Sequence, residues 1–165
     1  MDKFIINGPC KIEGIIKLSG SKNASLPILA ATILFDEQVE IKNLPNVKDI
    51  STMLDLIKSL GFDVQKNNTK SSVIIKKKKI KTFASYSLVK TMRAGILVLG
   101  PMVAKYHRSV TSLPGGCLIG ARPVNYHLNA LKKLGMRYEI KKGYIHAISK
   151  GKLKGTNFKF TNISV

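Results

Sequence analysis

Acidic residues, cysteine, histidine and aromatics are all scarce in this 165-residue chain, and each scarcity narrows what it can do. Its two cysteines, Cys10 and Cys117, lie far apart and form no C-x-x-C pair, which excludes the redox and metal motifs built on that spacing. His107, His127 and His146 show no metal-ligand spacing, so no metal site is read. No apolar run is long enough to span a bilayer. The longest, Ala94–Ala104, is interrupted by Gly100-Pro101, follows Lys90 and Arg93, and reads as a buried helix. Met1–Gly8 alternates like a strand and lacks the apolar stretch and cleavage site of a secretion signal, so a reducing, cytoplasmic location is expected. Only 9 Asp and Glu face 28 Lys and Arg, a formal charge of +19. That imbalance suits an anionic partner, whether nucleic acid, a membrane surface or a phosphorylated small molecule. Lysine supplies most of the charge and is scattered, apart from the run Lys76–Lys79, so a solvated surface explains it as readily as a binding face.

Enough apolar residues are present for one core, and their spacing predicts mixed α/β structure. Lys3–Ile6 and Gly14–Leu18 read as short strands with a turn at Gly8-Pro9. Ser19-Gly20-Ser21-Lys22-Asn23 then leads into an apolar helix over Ala24–Phe35. A Gly/Ser turn at a helix start exposes unpaired N–H groups that favour an anion, and Lys22 adds a full positive charge there. An ordinary cap beside an exposed lysine is the competing reading. Gln38–Lys42 reads as a strand. Asp49 is expected to cap a helix whose stripe is Ile50, Met53, Leu54, Ile57 and Leu60, stopped by Gly61. Phe62–Gln65 and Val73–Ile75 predict a hairpin around Asn67-Asn68, with Lys76–Lys79 extending an edge. Ser87–Ala104 predicts a second long apolar helix with Arg93 inside it. A buried guanidinium there needs an anionic or multiply accepting partner, unless it snorkels to the surface. Ser109–Leu113 reads as a strand, Leu128, Leu131 and Leu134 as a helix stripe ended by Gly135, and Met136–Ile140 with Tyr144–Ile148 as a hairpin around Lys142-Gly143.

Two stretches resemble each other. Leu54-x-x-Ile57-Lys58-x-Leu60-Gly61-Phe62 matches Leu128-x-x-Leu131-Lys132-x-Leu134-Gly135-Met136, and Asn43-Leu44-Pro45 matches Ser112-Leu113-Pro114. Helix, strand, helix and hairpin therefore occur twice, a repeated supersecondary unit in α/β layers. Between Leu-Pro and the next helix the second copy spends about five more residues than the first. The excess falls in Leu113–His127, which reads L-P-G-G-C-L-I-G-A-R-P-V-N-Y-H. Its sister copy folds without that length, which marks the segment as a functional insertion. Gly115, Gly116 and Gly120 free its backbone, and Arg122 follows Cys117 closely; a thiol near a fixed cation is the more reactive for it. A third echo, Lys11-Ile12-Glu13-Gly14 with Lys152-Leu153-Lys154-Gly155, suggests that another unit begins near the end of the sequence.

Three segments in order carry a wider resemblance: Gly20-Ser21-Lys22-Asn23-Ala24, Lys90-Thr91-Met92-Arg93-Ala94 and S-L-P-G-G-C-L-I-G-A-R-P-V over Ser112–Val124. Along its whole length the chain resembles the N-terminal part, somewhat under half, of the UDP-N-acetylglucosamine 1-carboxyvinyltransferase family of enolpyruvyl transferases. The resemblance implies an inverted α/β barrel of repeated units with buried helices and mixed sheets, here truncated after two units. Residues 1–20 would be strands packing with a missing second domain. Residues 21–165 would form an incomplete first domain, with units over about 21–80 and 81–150 and a third begun at 151–165.

The implied reaction moves enolpyruvyl from phosphoenolpyruvate to the 3′-hydroxyl of UDP-N-acetylglucosamine and releases phosphate, with no cofactor. It needs cations on phosphate and carboxylate, a proton for the methylene carbon and a base for the sugar hydroxyl. By position Lys22, Asn23 and Arg122 would hold phosphoenolpyruvate. Cys117 would be the catalytic acid, a covalent ligand of phosphoenolpyruvate and the target of fosfomycin. Arg93, Arg122, Pro123, Val124, Asn125 and Tyr126, with Asn162, Ile163, Ser164 and Val165, would meet the UDP-sugar. Asn125-Tyr126 departs from the family's usual Asp-Leu, and Asn162 from its frequent Lys, which bears on side-chain contacts to the nucleotide. The base would come from the missing C-terminal half, the implied partner, so the chain alone is expected to fold poorly and to lack turnover. Neither nucleic acid nor membrane is expected as a partner.

Two other readings stand beside this one. A 3-phosphoshikimate 1-carboxyvinyltransferase shares the fold and chemistry, but the P-G-G-C loop counts against it. A non-enzymatic basic module predicts salt-sensitive nucleic-acid binding, but it leaves the cysteine loop unexplained, and aromatics are sparse along the basic stretches.

Overall fold

The structure, a computed structural model, describes residues 3–67, 69, 71–114 and 124–160. Its first copy of the repeat runs helix, strand, helix, hairpin. Helix α1 (Lys22–Ala31) is continued by a 3-10 turn over Thr32–Leu34 and followed by β1 (Val39–Ile41), α2 (Lys48–Ser59), β2 (Phe62–Asn67) and β3 (Ser72–Lys77). The expected stripe of α2 is the buried one: Ile50, Met53, Leu54, Ile57 and Leu60 all face the core. Asp49 does not cap the helix. Val47 holds the N-cap position, its carbonyl accepting from Ile50 N at 3.1 Å, and Asp49 lies in the first turn, where its charge still complements the helix dipole.

The second copy has the same order with one strand added in front. Strand β4 (Phe83–Ala84) precedes a short helix α3 (Tyr86–Val89), a 3-10 helix (Arg93–Val98) and α4 (Leu99–Tyr106). Then come β5 (Arg108–Ser112), α5 (Asn125–Lys133), β6 (Arg137–Lys141) and β7 (Tyr144–Ile148). Sheet order repeats as well. The first sheet is β1-β3-β2 and the second β4-β5-β7-β6, antiparallel except for the parallel pair β4 and β5. Even the loop hydrogen bonds correspond. Leu44 N donates to Ser71 O at 2.8 Å as Leu113 N does to Gly143 O at 2.9 Å. Lys81 N and Lys154 N each donate at 2.9 Å, to Leu60 O and Leu134 O.

The geometry bears on three expectations. The long helix over Ser87–Ala104 is broken into three pieces. Met92 is extended (φ −143°, ψ 117°), and a Cβ on Gly95 would sit 3.1–3.2 Å from Val89, so the chain folds the 3-10 helix tightly back on α3. Pro101 then falls in the first turn of α4, where its missing N–H costs no helical bond. Lys76 and Lys77 end the central strand β3, opposite Asp63 and Phe62, and because β1 pairs β3 only as far as Ile75 their other side is an edge, as expected. Finally, Lys3–Ile6 and Gly14–Leu18, expected as strands against a second domain, form no strand within this chain. Phe4 is 99% exposed and Ile15 101%, and Ile6, Ile12, Ile16 and Leu18 are almost as open.

The broken helical stretch is what joins the copies. Val98 and Met102 enter one core with Leu29, Ile33, Met53 and Ile57 of the first copy. Ile96, Leu99 and Val103, on the other side of the same stretch, enter a second core with Leu128, Met136, Ile145 and Ala147. This helical stretch therefore lies inside, between the two cores. No helix among the described residues is long and apolar enough to cross a membrane.

Candidate functional site

The start of α1 is built by its own sequence. Ser21 is extended at the N-cap, and its Oγ accepts from Ala24 N at 3.4 Å. Ser25 closes the first turn twice on Ser21 O, through its N at 2.9 Å and its Oγ at 2.8 Å. Gly20 ahead of it has no room for a side chain, since a Cβ there would lie 1.8 Å from Asn43 O. Packed on the loop after β1, Gly20 fixes where Lys22 and Asn23 leave the core. Pro27 inside α1 lacks the N–H that would have bonded the Asn23 carbonyl four residues back.

Lys22, read from sequence as a cation awaiting an anion, has an internal one. Its Nζ lies 3.0 Å from Asp49 Oδ2, with both side chains more than a third exposed. Helix α1 packs against α2, which brings the two first turns together. Sequence reasoning assigned Asp49 a capping role and missed this pair; only the packing of two helices remote in sequence reveals it. Arg93 follows the surface alternative of its sequence reading. It is exposed at the first position of the 3-10 helix instead of buried within a long helix, so its charge needs no partner to fold. That 3-10 helix packs on α1, which places Arg93 and Lys22 on adjoining elements.

Twelve residues, Leu113 to Val124, separate β5 from α5, against six, Lys42 to Val47, between β1 and α2. The excess expected from the repeat is therefore real. Cys117, Arg122 and Pro123 fall on residues 115–123, outside the described residues, as do Asn162, Ile163, Ser164 and Val165. Val124 caps α5 and packs on the second core. Asn125 is exposed at the first helical position and Tyr126 half-buried at the second.

Tyr126 links two stretches expected to share a ligand. Its ring meets Phe160 edge-on at 5.8 Å, and Phe160 meets Phe158 edge-on at 5.0 Å. The chain leading to residue 160 thus runs beside α5, and the two border an open groove of about 750 Å³ lined by Tyr126, Asn129, Lys132, Lys133, Phe158 and Lys159. Three lysines beside aromatic rings suit a ligand that is both anionic and aromatic. The sequence held a weak sign of this in the F-K-F spacing at Phe158-Lys159-Phe160.

Comparison with known proteins fits this architecture. The family model described as EPSP synthase (3-phosphoshikimate 1-carboxyvinyltransferase) matches residues 6–165. Curated relatives named UDP-N-acetylglucosamine 1-carboxyvinyltransferase align with the whole chain, at 56% identity in Pelagibacter ubique and 48% in Acinetobacter baylyi. The chain spans 39% of the length of each. Among solved structures, the enolpyruvyl transferase NikO from Streptomyces tendae superposes with a TM-score of 0.72 at 14% identity, over 86% of this chain and 31% of that one. EPSP synthase from Acinetobacter baumannii gives 0.67 at 16% identity, over 92% and 35%. At such identities the likeness shows the fold: repeated α/β units with buried helices, as in enolpyruvyl transferases. On the match over residues 6–165, the chain belongs to the EPSP synthase (3-phosphoshikimate 1-carboxyvinyltransferase) family.

Proposed function

We propose that this chain is the N-terminal part of a cytoplasmic enzyme that transfers enolpyruvyl from phosphoenolpyruvate to the 3′-hydroxyl of UDP-N-acetylglucosamine, releasing phosphate in the first committed step of peptidoglycan precursor synthesis. The observation that carries the proposal is 56% identity, over all 165 residues, to a relative bearing that enzyme's name. In this reading Lys22 and Asn23, at the anion-favouring start of α1, hold phosphoenolpyruvate together with Arg122. Cys117 gives the proton to the methylene carbon. Arg93, the segment Arg122 to Tyr126 and the terminal Asn162 to Val165 hold the UDP-sugar. The general base and the opposite wall of the cleft come from sequence that the relatives carry beyond the matched part. The 3-phosphoshikimate alternative shares the family but not the name of the relatives at 46–56% identity.

Phosphate release with both substrates tests the proposal. The 165-residue chain alone is expected to give no turnover. Joined to the remaining part of the Pelagibacter ubique relative it is expected to turn over UDP-N-acetylglucosamine and not shikimate 3-phosphate. Cys117→Ala in that joined protein is expected to lower kcat by 10²-fold or more, on the order of what a lost general acid costs. Turnover of shikimate 3-phosphate by the joined protein would instead select the alternative.

A further inference from the structure

The outer face of the second sheet takes no part in the proposed reaction, and it has an unusual surface. Pairing puts Phe83, Val110, His146 and Glu139 in one row across β4, β5, β7 and β6. Flanking rows are Arg108, Ile148 and Arg137 on one side, and Ser112, Tyr144 and Lys141 on the other. The opposite face of the same strands carries the buried Ile145, Ala147 and Thr111, so these rows, apart from the fully buried Ser112, point away from the core. Phe83 and Tyr144 stack with centroids 5.3 Å apart and planes 27° apart, and Phe83 and Ile148 are each about half exposed. Phe83, Val110, Tyr144 and His146 line a shallow concavity of about 470 Å³ closed at one end by Lys141 and Lys142. Arg108, Arg137, His146 and Ile148 line its neighbour, of about 340 Å³. Glu139 is the one acid in these rows and is held by Lys141 at 2.8 Å, which leaves the face cationic.

Cationic ends around an apolar, aromatic middle decide between occupants. A second copy would set Arg108, Arg137 and Lys142 against their own images, which like-charge repulsion opposes. A bilayer would take basic residues, but its hold scales with the apolar area buried, and here Arg108, Arg137, His146 and Glu139 interrupt the apolar rows. Unpaired bases present a π-face to stack and a phosphate at each step, and four-stranded sheets that bind RNA stack two or three bases on aromatic side chains. No nucleic-acid partner is expected from the sequence, where aromatics are few along the basic stretches; strand pairing brings Phe83 of β4 and Tyr144 of β7 onto one face with Arg108 of β5 and with Arg137 and Lys141 of β6. We infer that the outer face of the β4-β5-β7-β6 sheet binds single-stranded RNA, stacking two or three unpaired bases on Phe83, Tyr144 and His146 with Arg108, Arg137, Lys141 and Lys142 on the phosphates.

The test is fluorescence anisotropy of the full 165-residue chain with a labelled twelve-nucleotide oligouridine across a salt series. Expected is binding that weakens with salt at a log–log slope of about −2 to −3, from roughly 0.7 per neutralised phosphate. Phe83→Leu, which keeps an apolar side chain without the π-face, is expected to weaken binding at least roughly fivefold, as is His146→Leu. Lys58→Ala, a charge removed from α2, is expected to leave it within about twofold. Far-UV circular dichroism of each variant checks folding. Four results would overturn the inference: no binding; leucine variants that fold and bind like the parent; duplex bound as tightly as single strand; or anionic vesicles or self-association occupying the face while oligouridine does not. Equal binding of oligothymidine supports it, since nothing on this face reads a 2′-hydroxyl, whereas binding of oligothymidine alone would count against it.

Discussion

Lys22 shows what a residue's surroundings add to its identity. From sequence it is a cation at a helix start, and that position favours anions. In the folded chain it already faces Asp49 at 3.0 Å, so any anionic substrate there competes with an internal carboxylate. Exposed pairs of this kind stabilise a fold by only about 0–1 kcal/mol, which makes charge balance the larger consequence. Asp49→Asn is therefore expected to change Tm little and to tighten the binding of phosphoenolpyruvate several-fold, while Lys22→Met weakens it. Calorimetric titration of both variants checks this, and an Asp49→Asn chain that bound more weakly would make Asp49 an organiser of Lys22 instead of its competitor. Lys22 itself was legible because its flanking Gly, Ser and Asn carry a local signal. Asp49 was not, because its partner lies 27 positions away and only the packing of α1 on α2 brings them together. For Arg93 the apolar neighbours left burial and the surface both open, and the 3-10 turn that starts there decides for the surface, with Arg93 exposed.

At the level of elements, the repeat made the fold legible. Stripe spacing, the Leu-Gly stops and the turn residues are local signals, and they located α2, α5 and both hairpins within a few residues. The break in the second apolar helix was hidden because Gly95 reads as tolerable in a helix until Val89 is seen 3.1 Å from where its side chain would go. The two stop glycines separate conformation from packing. Gly61 and Gly135 end equivalent helices with φ of +93° and +110°, and each N–H donates at 3.0 Å to the equivalent carbonyl, of Lys58 and Lys132. A Cβ on Gly61 would lie 1.8 Å from Lys79 O, whereas one on Gly135 meets nothing within 4 Å. Gly135→Ala is expected to cost about 1–2 kcal/mol, the left-handed backbone penalty alone. Gly61→Ala must also push the strand exit away from the helix end, and is expected to cost more than about 3 kcal/mol. Urea unfolding of the two variants measures the difference, and equal losses would show that the contact at Lys79 yields freely.

For the whole molecule, the two copies share more than a core. Asp36, just after the 3-10 turn that continues α1, bonds Lys77 of β3 at 2.7 Å and also Lys105 of α4, so one carboxylate ties the first sheet to the helix of the second copy. Lys77 in turn lies over the ring of Tyr106, 5.7 Å from its centroid, and burial pushes that phenol up. The bonds from Lys105 and then Lys77 hold the Asp36 carboxyl down, from 3.8 to about 2, and the bond to Asp36 raises Lys77. A depressed carboxyl stabilises the fold above its unfolded value, near pH 4, and loses that contribution as pH falls toward 2. A raised lysine contributes below its ordinary value and loses it as pH rises beyond. Asp36→Asn keeps the shape but removes the charge. Its Tm is therefore expected to lie below the parent's by a constant margin from about pH 5 to 9, to converge with it as pH falls from 4 to 2, and to approach it again above about pH 10.5. Against the sequence expectation of a poorly folding chain, Val98 and Met102 carry the second copy into the core of the first, so the parent and the variant are each expected to unfold in one transition at pH 7, with the same midpoint by near- and far-ultraviolet circular dichroism. A gap that persisted unchanged at pH 2 would mean that Asp36 acts through its shape and hydrogen bonds instead of its charge, and a second transition confined to the variant would identify the Asp36 clamp as what makes the two copies one cooperative unit.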